Sequence, residues 1–169
     1  MTDARRVTPV TLHHASSATL NVPAAALFDY LDDFRKLSAH MEKPSPMMLG
    51  SRMAIEMDGA NGRAIGSTVR MSGRILGMPL ELKEVVIERT PPVRKTWRTV
   101  DANLLVIGAY TLGFQLEARG LTTHLLVFID YLLPETAAGR WLGRLLARRY
   151  ARWCTERMVK DAMRHFSAA

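Results

Sequence analysis

Few residues in this chain have the type and placement for chemistry. Glu84 shares its parity with Leu80, Leu82 and Val86. Side chains at i, i+2 and i+4 of a strand point to one face. A regular strand therefore turns this carboxylate inward, where burial would raise its pKa and suit it to proton transfer. A bulge at 83–85 would instead turn Glu84 out and Val85 in, and the apolar Val85 and Ile87 favour that arrangement. His14 is the second acid–base candidate. Polar residues on the apolar parity of other strands are candidates to fix a ligand: His14 and Ser16, Ser67, Tyr110 and Tyr131. Met71, Trp97, Phe114 and Tyr150 would supply apolar and aromatic wall. The alternative for each polar residue is a local hydrogen bond or a place on the sheet rim.

Strong motifs for other chemistry are absent. The sequence has no Gly-rich phosphate loop, no dinucleotide fingerprint, no His-Glu-x-x-His and no Gly-x-Ser-x-Gly. His13 and His14 are adjacent, so a strand points them to opposite faces and they cannot jointly chelate a metal. No metal site or cofactor is expected. Cys154 falls on the apolar stripe of a helical segment and reads as a small core residue rather than a nucleophile.

The elements that must position these residues follow from periodicity. Leu12, Ala18, Leu20 and Val22, with Val10, alternate with polar neighbours in a first strand ending at Pro23. Ala24, Leu27, Phe28, Leu31 and Phe34 recur at helical spacing, with Asp29, Asp32 and Asp33 off the stripe, so a short helix covers about 23–34. A second short helix and a loop fill 35–47. Six more strands follow, at 53–57, 65–75, 80–86, 93–99, 110–117 and 122–133, separated by turn residues alone. Such spacing implies antiparallel meander connections. After Pro134 the period changes. Leu142, Leu146, Tyr150, Trp153 or Cys154, Met158, Ala162 and Phe166 mark a helix of about 30 residues, ~45 Å long. The sheet must bury one face, and this helix is the only element long enough to cover it. The fold class is α+β, a seven-stranded curved antiparallel sheet around a long C-terminal helix, with two short helices after the first strand.

Three stretches carry a resemblance. LNVPAAALFDYLDDFRKLSAHM (20–41), ELKEVVIERTPPVRKTWR (81–98), and HLLVFIDYLLP (124–134) followed by GRWLGRLLARRYARWCTERMVKDAMRHF (139–166) resemble the helix-grip fold of the START-like, or SRPBCC, superfamily. That superfamily includes polyketide cyclase/dehydratase-like and lipid-transfer proteins. The resemblance spans 1–169 as one domain, with 1–8 as a flexible tail. It implies a cavity between sheet and long helix that takes a hydrophobic small molecule, a lipid or polyketide-like compound. It carries over no catalytic residues, since the superfamily shares architecture rather than a common site. A binder or carrier is the first functional expectation, contradicted by a cavity with room for only a few waters. A metal-independent cyclase or dehydratase using Glu84, His14 or a tyrosine is the second.

Charge suggests a third. The chain has 169 residues, 48% of them hydrophobic, and a formal net charge of +7. Residues 135–169 hold eight basic and three acidic side chains, so most of the positive field belongs to one segment. Arg140, Arg144, Arg148 and Arg152 are four apart and form a ridge opposite the apolar stripe. With the apolar loop 104–107 this ridge suggests contact with an anionic membrane surface or an acidic protein; the alternative is a solvated face. Nucleic acid is not expected, because no aromatic residues alternate with the basic ones on a strand. Leu126, Phe128 and Leu132 lie on the outward parity of the last strand, which suggests a covered surface such as a homodimer, or local cover from the N-terminal segment. One cysteine and an N-terminus without an apolar run favour the cytoplasm.

Overall fold

The alternating segments form strands and the segment after Pro134 forms one helix. The computed structural model describes residues 11–37, 53–75, 77–104 and 106–167. In chain order these are β1 (Leu12–Leu20), α1 (Ala24–Asp32), α2 (Phe34–Leu37), β2 (Met53–Met57), β3 (Thr68–Ile75), β4 (Met78–Thr90), β5 (Arg94–Ala102), β6 (Tyr110–Arg119), β7 (Thr122–Tyr131) and α3 (Ala137–Ser167). The expected flexible tail at 1–8, Val10, the loop at 38–47 and Leu105 lie outside the described residues.

The sheet is antiparallel throughout, in the order β1-β7-β6-β5-β4-β3-β2. Strands β2 to β7 are a meander, and β1 returns to pair with β7, Leu12 opposite Tyr131 and Leu20 opposite Thr123. The curved sheet wraps α3, which packs chiefly on β1 and β7. Apolar residues of the inward parity, among them Leu82, Val86, Trp97, Phe114, Leu125, Val127 and Ile129, form one core with Leu27, Phe28 and Leu31 of α1. A part-buried hydrogen bond between Ser16 and Thr155, 2.8 Å long, ties α3 to β1.

The face that α3 buries differs from the expected stripe in its first half. Gly143, Ala147 and Ala151 point inward, followed by Cys154, Thr155, Met158, Val159 and Ala162. Leu142 is only half-buried and Leu146 is exposed. Small residues let the helix backbone approach its neighbours closely. A Cβ on Gly143 would sit 3.0 Å from both Pro134 Cδ and the Val106 carbonyl oxygen. The periodicity of bulky residues therefore points about one position away from the true contact face.

Two charged residues, Asp32 and Lys95, are buried. Asp32, placed off the helical stripe, is enclosed; Lys95 Nζ donates to its Oδ1 at 2.8 Å and its carbonyl at 3.0 Å. Arg89 donates to the same carboxylate through Nε and Nη2. Lys95 is 0% exposed. This cluster ties the end of α1 to β4 and β5. Burial pushes the Asp32 carboxyl up, but the bonds and charges of Arg89 and Lys95 bring it below its ordinary value. Burial is also the main cause that lowers Lys95.

Candidate functional site

A cavity lies between the sheet and α3. Its wall comes from Phe34 and Leu37 of α2, Met71 of β3, Glu84 of β4, Trp97 of β5, Tyr110 and Leu112 of β6, Ile129 of β7, and Tyr150, Cys154 and Met158 of α3. Apolar atoms dominate this lining. Its volume is about 30 Å³, room for one or two waters. Drug-sized ligands occupy pockets of about 300–1,000 Å³, so the cavity as it stands is the few-water space that counts against a carrier with a preformed pocket, and a ligand enters only if the wall moves.

Glu84 is the polar centre of the cavity and is 1% exposed. The bulge expected near 83–85 exists as a register shift between Lys83 and Glu84. It does not turn the carboxylate out. Leu80, Leu82, Glu84 and Val86 all stay buried, while Ile87 is exposed. The compensation is local: Tyr110 donates its hydroxyl to Glu84 Oε1 at 2.5 Å. Burial raises the Glu84 pKa to about 7, against the opposing pull of Tyr110 and of the nearby Trp97 indole. The indole N–H stops short of a hydrogen bond. Glu84 Oε2 and Trp97 Nε1 both lie buried without a partner. Buried polar atoms normally find one. Both residues line the cavity.

The other titratable groups of the wall are held neutral. Burial, then the Glu84 carboxyl, pushes Tyr110 well above its ordinary value. Burial does the same to Tyr150, whose hydroxyl meets the Cys154 thiol. The thiol itself is pushed up to about 12, chiefly by burial. It lines the cavity as a neutral small group and is no nucleophile at neutral pH.

Of the residues expected to bind a ligand, Met71, Trp97, Tyr110 and Tyr150 line the cavity with Glu84. Four do not. His14 is half-buried beside α3, where burial and then Arg152 lower its pKa, and it has no place in the acid–base site. Ser67 is consumed by a turn, accepting from the Gly62 amide at 2.8 Å and donating to Asp58 at 2.6 Å. Phe114 is core, its ring edge-on between Phe28 and Trp97. Tyr131 is buried at the end of β7, outside the lining. Parity assigned their faces well enough; it could not distinguish cavity from filled core. Phe34, Leu37, Leu112, Ile129 and Met158 were missed as wall for the same reason.

The two apolar surface features are largely covered. In the loop after β5, Ile107 is buried and Leu104 and Val106 are half-buried. Phe128 on the outer sheet face lies under the Arg94 guanidinium, 5.1 Å from its ring centroid. No described helix is long and apolar enough to cross a membrane. Among the described residues no group of three or more His, Cys, Asp or Glu could hold a metal ion.

No family model and no curated protein sequence matches the chain. Solved structures do. Ara h 8.0201 superposes with a TM-score of 0.65 at 12% identity, over 95% of this chain and 100% of its own. The Zhui aromatase/cyclase from Streptomyces sp. R1128 gives 0.64 at 13% identity, over 92% and 95%. Truncated norcoclaurine synthase from Thalictrum flavum gives 0.64 at 15%, over 94% of both chains. This chain has the helix-grip fold. Identities this low establish the architecture and leave the function to the site. In helix-grip terms, the cavity lies between the gripping sheet and the gripped helix, with Glu84 on its sheet side and Tyr150 on its helix side.

Proposed function

We propose that the chain binds a small, mainly apolar molecule in this cavity, with Glu84 and Trp97 as its polar anchors. The observation that carries the reading is the pair of buried, unpartnered atoms, Glu84 Oε2 and Trp97 Nε1, in an otherwise apolar wall. Trp97 Nε1 can only donate. A carboxyl with a pKa near 7 donates when protonated and accepts when ionised. The matching ligand carries a carbonyl or hydroxyl on a hydrocarbon or aromatic frame. Binding requires the wall to open. Met71 and Met158, unbranched and adaptable, are the side chains suited to move. Solved helix-grip proteins described as an aromatase/cyclase and as norcoclaurine synthase support a cavity of this kind. A thermal-shift screen with phenols, aryl ketones and their hydrocarbon parents tests the reading. Oxygenated compounds should raise the Tm, and Glu84→Gln should weaken them more than the hydrocarbons. If no compound raises the Tm of the wild-type protein, the reading is wrong.

One observation favours a second reading, acid–base catalysis on the bound molecule. Glu84 has a pKa of about 7 and a Tyr110 phenol hydrogen-bonded to it. A group half-protonated at neutral pH serves best as general acid or base. A cyclisation or dehydration needs only such proton transfers, with no metal or nucleotide. On this reading a ligand found by the screen is converted by the wild type, with a rate inflection near the Glu84 pKa, and is recovered unchanged from Glu84→Gln.

A further inference from the structure

The rotation of α3 that buries Gly143, Ala147 and Ala151 sends large apolar residues to the opposite side. Trp141 is 67% exposed and Leu145 is 57% exposed. They stand four residues apart, one helical turn, in the middle of the outer face. Arg144 and Arg148 flank them on one side and Arg149 on the other, all exposed, with Arg152 continuing the row. Among the described residues Arg144, Arg148 and Arg149 have no carboxylate partner. Arg140 donates to the Glu135 carbonyl and Arg152 pairs with Glu156. The second half of the helix is different. There Lys160 pairs with Glu156, and Arg157 and Arg164 approach Asp161. Each cation of the second half thus has a carboxylate within reach, two carboxylates serving four cations, whereas Arg144, Arg148 and Arg149 in the first half have none among the described residues.

We infer that the outer face of the first half of α3 docks on an anionic lipid surface. A solvated basic face accounts for the arginines but not for an exposed Trp and Leu among them. Interfacial helices combine these features: guanidinium groups meet lipid phosphates while Trp and Leu sink to the headgroup boundary. Arg suits this role because its planar fork binds phosphate bidentately. An acidic protein would satisfy the charge and leave the apolar pair without a stated partner. A nucleic acid would ask for stacking aromatics on a platform, which this face lacks. The inference stands independently of the cavity reading. It also has a consequence for it: Tyr150 and Cys154, on the inner side of neighbouring turns, would place a cavity wall close to the membrane.

The test is sedimentation of the full chain with two vesicle types, phosphatidylcholine alone and phosphatidylcholine with about one-third phosphatidylserine, at low and high salt. The protein should bind the anionic vesicles at least about tenfold more tightly than the neutral ones, and high salt should release it. Arg144→Glu with Arg148→Glu should abolish binding, while Lys at both positions should retain it. Circular dichroism melts confirm that these surface variants fold. Brominated lipid should quench tryptophan emission in the wild type and lose most of that quenching in Trp141→Phe. Equal binding to both vesicle types overturns the inference. So does undiminished binding of the Glu double variant, or quenching unchanged by Trp141→Phe. Polyglutamate or duplex DNA bound as tightly as the anionic vesicles would assign the face to another partner and overturn it too.

Discussion

Glu84 is a carboxyl kept in the interior by one phenol, and its protonation should be visible in stability. Its ordinary pKa is 4.5 and its folded value is about 7. Between these values the folded state keeps a proton that the unfolded chain has released. Stability from this group is therefore full below pH 4.5, falls as pH rises through the window, and is level above it. The loss amounts to about 3 kcal/mol. Glu84→Gln removes the titration, so urea denaturation of the variant should lack that fall, relative to wild type, between acidic and mildly basic pH. A parallel decline in both proteins would place the Glu84 pKa at an ordinary value. At the same scale, the buried Cys154 thiol should not react with an aromatic disulfide reagent in the folded protein. It should react at once in guanidinium. The inward direction of Glu84 could be read from Leu80, Leu82 and Val86, but its persistence could not, because the partner that permits it, Tyr110, lies 26 residues away.

At the scale of elements, pattern located all seven strands and the long helix, since period 2 and period 3.6 are imposed by burial itself. What pattern missed is how elements attach. Asp32 lies off the apolar stripe of α1, yet it forms a buried ion pair with Lys95 of β5, with Arg89 beside it. Asp32→Asn leaves the Lys95 ammonium buried without its counter-charge. Breaking a buried pair from one side costs about 3–5 kcal/mol, and chemical denaturation should show that loss. A change below about 1 kcal/mol would mean the pair is solvated like a surface bridge. The face of α3 was misread for a related reason: hydropathy marks the bulky Leu142 and Leu146, whereas close approach selects Gly143, Ala147 and Ala151.

For the whole molecule, the helix-grip arrangement follows from one constraint, a sheet with a buried face and a single helix to bury it. The cavity follows less strictly. Its sheet wall repeats the core pattern, so Phe114 and Trp97, on neighbouring strands and both buried, fall on different sides of the line between filled core and open space. That line is set by side-chain volumes from seven elements at once, which no single segment of sequence records. The central claim is that the cavity holds a small apolar molecule anchored at Glu84. Native mass spectrometry of the protein purified from its own host tests it most directly. The wild type should carry a bound small molecule that is absent from Glu84→Gln purified alongside it. A wild-type mass equal to that of the bare chain, with Glu84→Gln no different, would contradict the account.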